Sequence, residues 1–256
     1  LTRAVVVLLG LALFGAAPRA GQGVPVRHPE GLVHGFLVLS TLQGARLADG
    51  DLTQHLRGDR VTSQLSFRFK DGSRHEETAV YSQRQQFRLI SYQLKQRGPA
   101  FPRSLEMSID VAAGRITTRY TDDGRERTDT ETRALPPDLA NGMVPILLKN
   151  VRPEALPETL SYVAATPGPR LVRLELRVAG AQEFVTGGTP RKATHFVLKV
   201  KLGGFAGLVA PILGKTPPDV HVWILAGDAP AFVRAEQPLY PDGPVWRIEL
   251  TSPVWK

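Results

Sequence analysis

Cysteine is absent from all 256 residues. That excludes disulfides, a thiolate nucleophile and thiolate-ligated zinc, whatever compartment the chain occupies. It also excludes a lipid-modified cysteine at a processed amino terminus, so the expected mature protein carries no lipid anchor. Stability then has to come from burial, for which the chain is long enough. Blocks of like charge are lacking as well. The formal charge is +8, yet the 32 Lys and Arg are scattered singly and often alternate with apolar residues. Such a pattern marks solvated strand faces and not a nucleic-acid tail, so no nucleic-acid partner is expected.

Recognisable catalytic signatures are missing too. No Gly-x-Ser-x-Gly elbow occurs. Leu213-Gly214-Lys215-Thr216 invites a phosphate-loop reading, but Val209 stands where that motif needs its first glycine. Pro217 and Pro218 then bar the helix whose amides would hold a phosphate. Arg57-Gly58-Asp59 spells an adhesion tripeptide that any hairpin turn produces by chance. The six histidines show no zinc-ligand spacing on a helix, so neither a metal nor a cofactor is expected.

What is present begins with a leader pattern. Arg3 precedes an apolar run of 14 residues, Ala4 to Ala17, closed by Pro18 and Arg19. A bilayer-spanning helix needs about 20 apolar residues, so the run is short for a membrane anchor and suits a secretory signal peptide. Cleavage after Gly15-Ala16-Ala17 is disfavoured by Pro18, and Gly21-Gln22-Gly23 offers a later site. Residues 1–23 are therefore assigned to a signal peptide and 24–256 to a single β-rich domain, with a periplasmic or secreted destination.

Strand signals dominate that domain. In Val61 to Lys70, Leu65, Phe67 and Phe69 alternate with Ser66, Arg68 and Lys70; Leu105 to Asp110, Val172 to Val178 and His195 to Lys201 repeat the pattern. One buried and one wet face is the mark of an antiparallel sheet. Asp49-Gly50, Asp71-Gly72, Asp123-Gly124 and Asp242-Gly243 read as hairpin turns. Only Asp138 to Asn150 breaks the rhythm: Leu139, Met143, Ile146 and Leu147 recur at helical spacing, and Asp138 is placed to cap. Gly142 and Pro145 predict a short, bent helix. The proline-rich stretch that follows predicts a midpoint crossing near 136–169 with a strand at Leu160 to Ala164. The expected fold is all-β: a curled antiparallel sheet, spiral β-roll or half-barrel, with one short helix.

Two sets of residues stand out within this frame. Gly203 to Gly214 is apolar, glycine-rich and flanked by Lys199, Lys201 and Lys215. Its Phe205, Leu208, Val209, Ile212 and Leu213, with Trp223, are candidate contacts for an apolar ligand or a membrane surface. The blander reading is a loop that plugs the end of the roll, and for Trp223 a place in the core. The second set is polar. On a strand, His75 and Glu77 share a face, so a carboxylate would meet the imidazole. For His75 and Glu77 the blander and preferred reading is an exposed polar strand end; Asp219, Asp228 and Glu236, in the hairpin that contains Trp223, are the candidate acids for a carboxylate pair.

Val220-His221-Val222-Trp223-Ile224, Gly227-Asp228, Phe232-Val233-Arg234 and Ile248-Glu249-Leu250-Thr251-Ser252 occur in that order near the carboxy terminus. This order resembles the end of a family of exported, uncharacterised bacterial proteins with a spiral β-roll fold. The resemblance covers roughly the last 60 residues and implies fold and compartment; it brings no activity and no catalytic residues. The functional expectation is a non-catalytic envelope component that binds an apolar or amphiphilic ligand or a protein partner. The alternative is a hydrolase of envelope glycans or esters, which requires two converging carboxylates or a histidine within reach of one.

Overall fold

The computed structural model describes residues 23–157, 159–186, 188–201 and 217–251. Its first half runs through β1 (Val33–Thr41), β2 (Arg46–Arg57), β3 (Arg60–Phe69), β4 (Arg74–Gln83), β5 (Phe87–Arg97), β6 (Leu105–Asp110), β7 (Arg115–Asp122) and β8 (Arg125–Thr132). A helix, α1 (Val144–Asn150), and a 3-10 turn at Pro153–Ala155 follow. The second half contains β9 (Thr159–Ala164), β10 (Arg170–Thr186), β11 (Thr189–Lys201), β12 (Val220–Leu225), β13 (Ala231–Gln237) and β14 (Trp246–Thr251). The protein is thus all-β with one short helix, as the alternation predicts.

All the strands share one antiparallel sheet, in the order β8-β7-β6-β5-β4-β3-β2-β1-β14-β13-β12-β11-β10-β9. Every pairing joins sequence neighbours except at one seam. There β1 and β14 zip the two meanders together, from Phe36 opposite Thr251 to Thr41 opposite Trp246. The sheet does not close into a barrel, because β8 and β9 remain separate edges. Side chains of one face, called inner here, converge from both meanders on a common apolar core. Phe67, Tyr81, Phe87, Tyr92 and Ile109 from the first meander join Leu160, Phe196, Leu198, Val222 and Ile248 from the second. At roughly 1.5–3 kcal/mol for each large side chain fully buried, this core supplies the stability that disulfides do not.

Three of the Asp-Gly pairs make turns. Asp123 and Gly124, at φ 48° and 72°, form the two-residue link between β7 and β8. Asp49-Gly50 does not turn: it lies inside β2. Gly50 is needed there for space, because a Cβ at this position would come within 2.5 Å of the Phe67 ring on β3. The turn between β1 and β2 is made instead around Gly44, at φ 92°.

The helix starts later than its apolar spacing predicts. Gly142, at φ 68°, interrupts the segment, and a Cβ on it would meet Ala79 and Tyr92 of the inner face. Helix α1 then begins with Pro145 in its first turn, where no amide donor is required. Asp138 is therefore not a helix cap. Residues 138–141 cover the outer edge of β9 through a single bridge, Leu139 to Ser161: Ala140 N donates to Ser161 O at 2.9 Å, and the Asn141 amide bridges Val163 N and O, both at 2.9 Å. The buried Asp138 carboxylate accepts from Ser161 Oγ at 2.6 Å and from Arg173 at 2.9 Å. Ile146, Leu147 and Leu148 of α1 enter the core, and Asn150 Oδ1 accepts the amides of Arg27 and His28 at 2.8 and 2.7 Å. Among the described residues, no helix is long and apolar enough to cross a membrane.

Candidate functional site

Strand register lines up the inner face into cross-strand rows. One row reads Gly35, Leu52, Leu65, Glu77, Leu94, Met107 across β1 to β6. The next, toward the β3–β4 turn, reads Leu37, Gly50, Phe67, His75, Gln96, Leu105. Polar residues at positions 75 and 77 therefore sit within two otherwise mostly apolar rows. Beyond His75 an aromatic cluster closes this side of the core: Phe101 stacks against His75 at 6.3 Å and packs edge-on to Phe69 and Tyr240.

His75 and Glu77 are brought together as their shared face predicts, with Nε2 to Oε1 at 2.7 Å. The sequence alone does not show what holds the other ring nitrogen. Gln96 Nε2 lies 3.0 Å from His75 Nδ1 and 2.6 Å from Leu239 O. The carbonyl needs a donor, so the amide nitrogen of Gln96 faces both groups and His75 Nδ1 accepts. The ring proton then sits on Nε2 and is given to Glu77. His75 is not part of an exposed strand end: inward alternation on β4 leaves it 1% exposed, and with both nitrogens engaged it has no free atom with which to take a substrate proton.

Glu77 is the more available partner, with a side chain 18% exposed. Burial pushes its carboxyl up, but the hydrogen bond and electrostatic attraction of His75, helped by the Tyr92 hydroxyl, outweigh it and hold Glu77 below its ordinary value. It is ionised at neutral pH. Burial and the Glu77 charge both push the hydroxyls of Tyr92 and Tyr162 up, so both stay protonated, and Tyr92 donates to the carboxylate. Along the row from Glu77 the apolar cover thins. Leu65 and Leu52 are only half-buried although they point inward, and Leu56 and Leu250 are 44% and 46% exposed. Leu250 and Leu52 flank Gly35, both within 4.0 Å of where its Cβ would be. This apolar strip, ending at Glu77, is the candidate binding site.

Trp223 lies on the opposite, outer face and is 6% exposed. Register places it between His195 and Arg234. The His195 ring stacks on it at 4.3 Å and 7°, and the Arg234 guanidinium lies 5.6 Å from its centroid. Both faces of the indole are therefore covered, which leaves no platform for a sugar. His195 Nε2 and His221 Nδ1 are 2.9 Å apart. Burial, then His221 and Arg177, outweigh Glu236 and hold His195 below its ordinary 6.5. Alternation along β12 puts His221 and Trp223 on one face, but the β11–β12 pairing that adds His195 has no local signal in the sequence.

The remaining acids are dispersed. Asp219 pairs with Arg177 at 3.4 Å, Glu236 with Arg247 at 2.9 Å, and Asp228 is exposed in the turn after β12. A depression of about 200 Å³ over β5, β6 and β7 is lined by Ser91, Gln93, Ser108 and Arg115, with Asp110 its one carboxylate. Among the described residues, no three His, Asp or Glu side chains are grouped to hold a metal. Phe205, Leu208, Val209, Ile212 and Leu213 lie outside the described residues. No protein-family model, curated protein or solved structure matches this chain.

Proposed function

We propose that this protein is a non-catalytic component of the cell envelope, periplasmic or secreted, that binds an apolar or amphiphilic ligand on the inner face of its sheet. One observation carries the reading: Leu52, Leu65, Leu56 and Leu250 point to the core side yet stay partly open to solvent. Inward-facing apolar residues left uncovered beside a packed core mark a surface that gains by being covered. The leader pattern of residues 1–23 and the resemblance of the carboxy-terminal motifs to exported β-roll proteins support the compartment. The dispersed acids and the fully engaged His75 favour binding over hydrolysis, since the buried His75–Glu77 pair has no free ring nitrogen.

The test is titration with N-phenyl-1-naphthylamine, an uncharged dye that brightens in apolar sites. Saturable enhancement is expected, with Leu65→Glu weakening it by about tenfold or more through the cost of placing a charge in the strip. A protein that gives no saturable enhancement overturns the reading.

A further inference from the structure

Independently of any ligand, we propose that two copies of this chain pair edge to edge through β8, across a two-fold axis at Thr128, so that the sheet continues from one protomer into the other. β8 is an end of the sheet: β7 takes one side of it and no strand takes the other. The opposite end is covered, since residues 138–141 lie against β9. Asp122 and Arg125 flank the two-residue turn as direct partners, so they exchange both backbone hydrogen bonds. Odd-numbered residues of β8 therefore bond to β7, and Arg133 N, donating to Gly114 O at 2.8 Å, extends that pattern. Glu126, Thr128, Thr130 and Thr132 turn their amides and carbonyls outward, and all four are exposed. Among the described residues, no group bonds to those amides.

The order of charge selects the partner. The other face of β8, shared with the buried Ile116 and Thr118 of β7, reads Arg125, Arg127, Asp129, Glu131. An antiparallel copy centred on Thr128 sets Arg125 opposite the partner's Glu131 and Arg127 opposite the partner's Asp129. The two-fold axis repeats both, which makes four ion pairs. They fall at non-hydrogen-bonded positions, where Cα atoms approach to about 4.5 Å and side chains are closest. Because outward amides alternate, the register moves in steps of two residues. One step either way sets Arg127 or Asp129 against its own copy, and larger shifts pair arginine with arginine or acid with acid. Charges on an edge strand ordinarily forbid pairing. Here their order is its own complement, so one register is left open. Among the described residues, Arg125 and Arg127 form no ion pair within the chain. Asp129 accepts through Oδ2 from the Tyr120 hydroxyl at 3.1 Å and Gly168 N at 3.0 Å, and Glu131 through Oε1 from Arg133 at 3.0 Å. Each carboxylate has a second oxygen with which to accept from a partner's guanidinium.

The experiment is sedimentation velocity of the folded protein at concentrations up to about 1 mM, since one strand pair is a small contact. A reversible equilibrium that stops at the dimer is expected, as a closed two-fold contact requires. It should weaken several-fold between about 0.05 M and 1 M salt, because the ion pairs are exposed. Thr128→Pro removes an outward amide and leaves every bond to β7 in place. Arg125→Glu with Arg127→Glu opposes acid to acid at all four pairs. Each variant should keep the far-UV circular dichroism of the wild type and weaken the dimer by about tenfold or more. A wild-type protein that stays monomeric overturns the proposal. So does a dimer that survives in both folded variants. Growth beyond the dimer, the mark of unlike edges pairing, overturns it as well. Tightening with salt overturns it too, since that points to association through apolar side chains.

Discussion

His75 Nε2 lies 2.7 Å from Glu77 Oε1, two positions along the same inner face of β4. The carboxylate is held below its ordinary 4.5 in the folded chain, so folding favours its ionised form. Stability from this group is present above pH 4.5 and is lost as pH falls through the lower folded value. Glu77→Gln should cost roughly 1.5–3 kcal/mol at pH 7, the range for a hydrogen bond to a charged group. The difference between wild type and variant should shrink below pH 4.5. Urea unfolding measured from pH 7 to pH 3 checks both points; a difference that stays constant with pH contradicts the assignment.

Gly50 is fixed by packing and not by a turn. Gly50→Ala should destabilise by about 1–3 kcal/mol, because the Phe67 ring occupies the space its methyl needs. Combining it with Phe67→Leu should recover part of that loss. A neutral Gly50→Ala, measured by chemical denaturation, would show that Phe67 has room to move.

Asp138 is wholly buried and joins the crossing segment to Ser161 and Arg173. Asp138→Ala should therefore cost about 3–5 kcal/mol, as expected for breaking a buried ion pair. If Asp138 merely capped a helix, the loss would be nearer 1 kcal/mol. Thermal or urea denaturation separates the two values.

His195 stacks on Trp223 and is held below pH 6.5 by burial and by His221. The folded chain takes up this proton less readily than the unfolded one, so acidification below pH 6.5 destabilises it through this group. An imidazolium quenches a stacked indole. Tryptophan emission should fall with a midpoint below 6.5, and His195→Gln should remove that step. A midpoint at or above 6.5 contradicts the described environment.

Much of the fold was legible because one period dominates. The alternation of Leu65, Phe67 and Phe69 with Ser66, Arg68 and Lys70 fixes both a strand and its buried face. Pairing was less legible. That β1 meets β14 is a contact between chain ends, and no local pattern encodes it. Asp49-Gly50 misled because a glycine that admits a neighbouring ring looks, in sequence, like a glycine that permits a turn. Asp138 misled likewise, since a capping residue and a buried ion-pair residue share one side chain. At the site, the shared face of His75 and Glu77 follows from strand geometry. Gln96 and Leu239, which fix the histidine tautomer, come from β5 and the segment after β13. The β4–β5 register that delivers Gln96 shifts at Val80 and Tyr81, and nothing in the sequence marks that irregularity.

Binding of an amphiphile on the inner strip is tested most directly by native mass spectrometry of the protein isolated without detergent from an exporting host. The account predicts the chain mass plus a dissociable adduct of lipid size, lost in Leu65→Glu. Bare protein in every preparation, with wild type and variant indistinguishable, would contradict it.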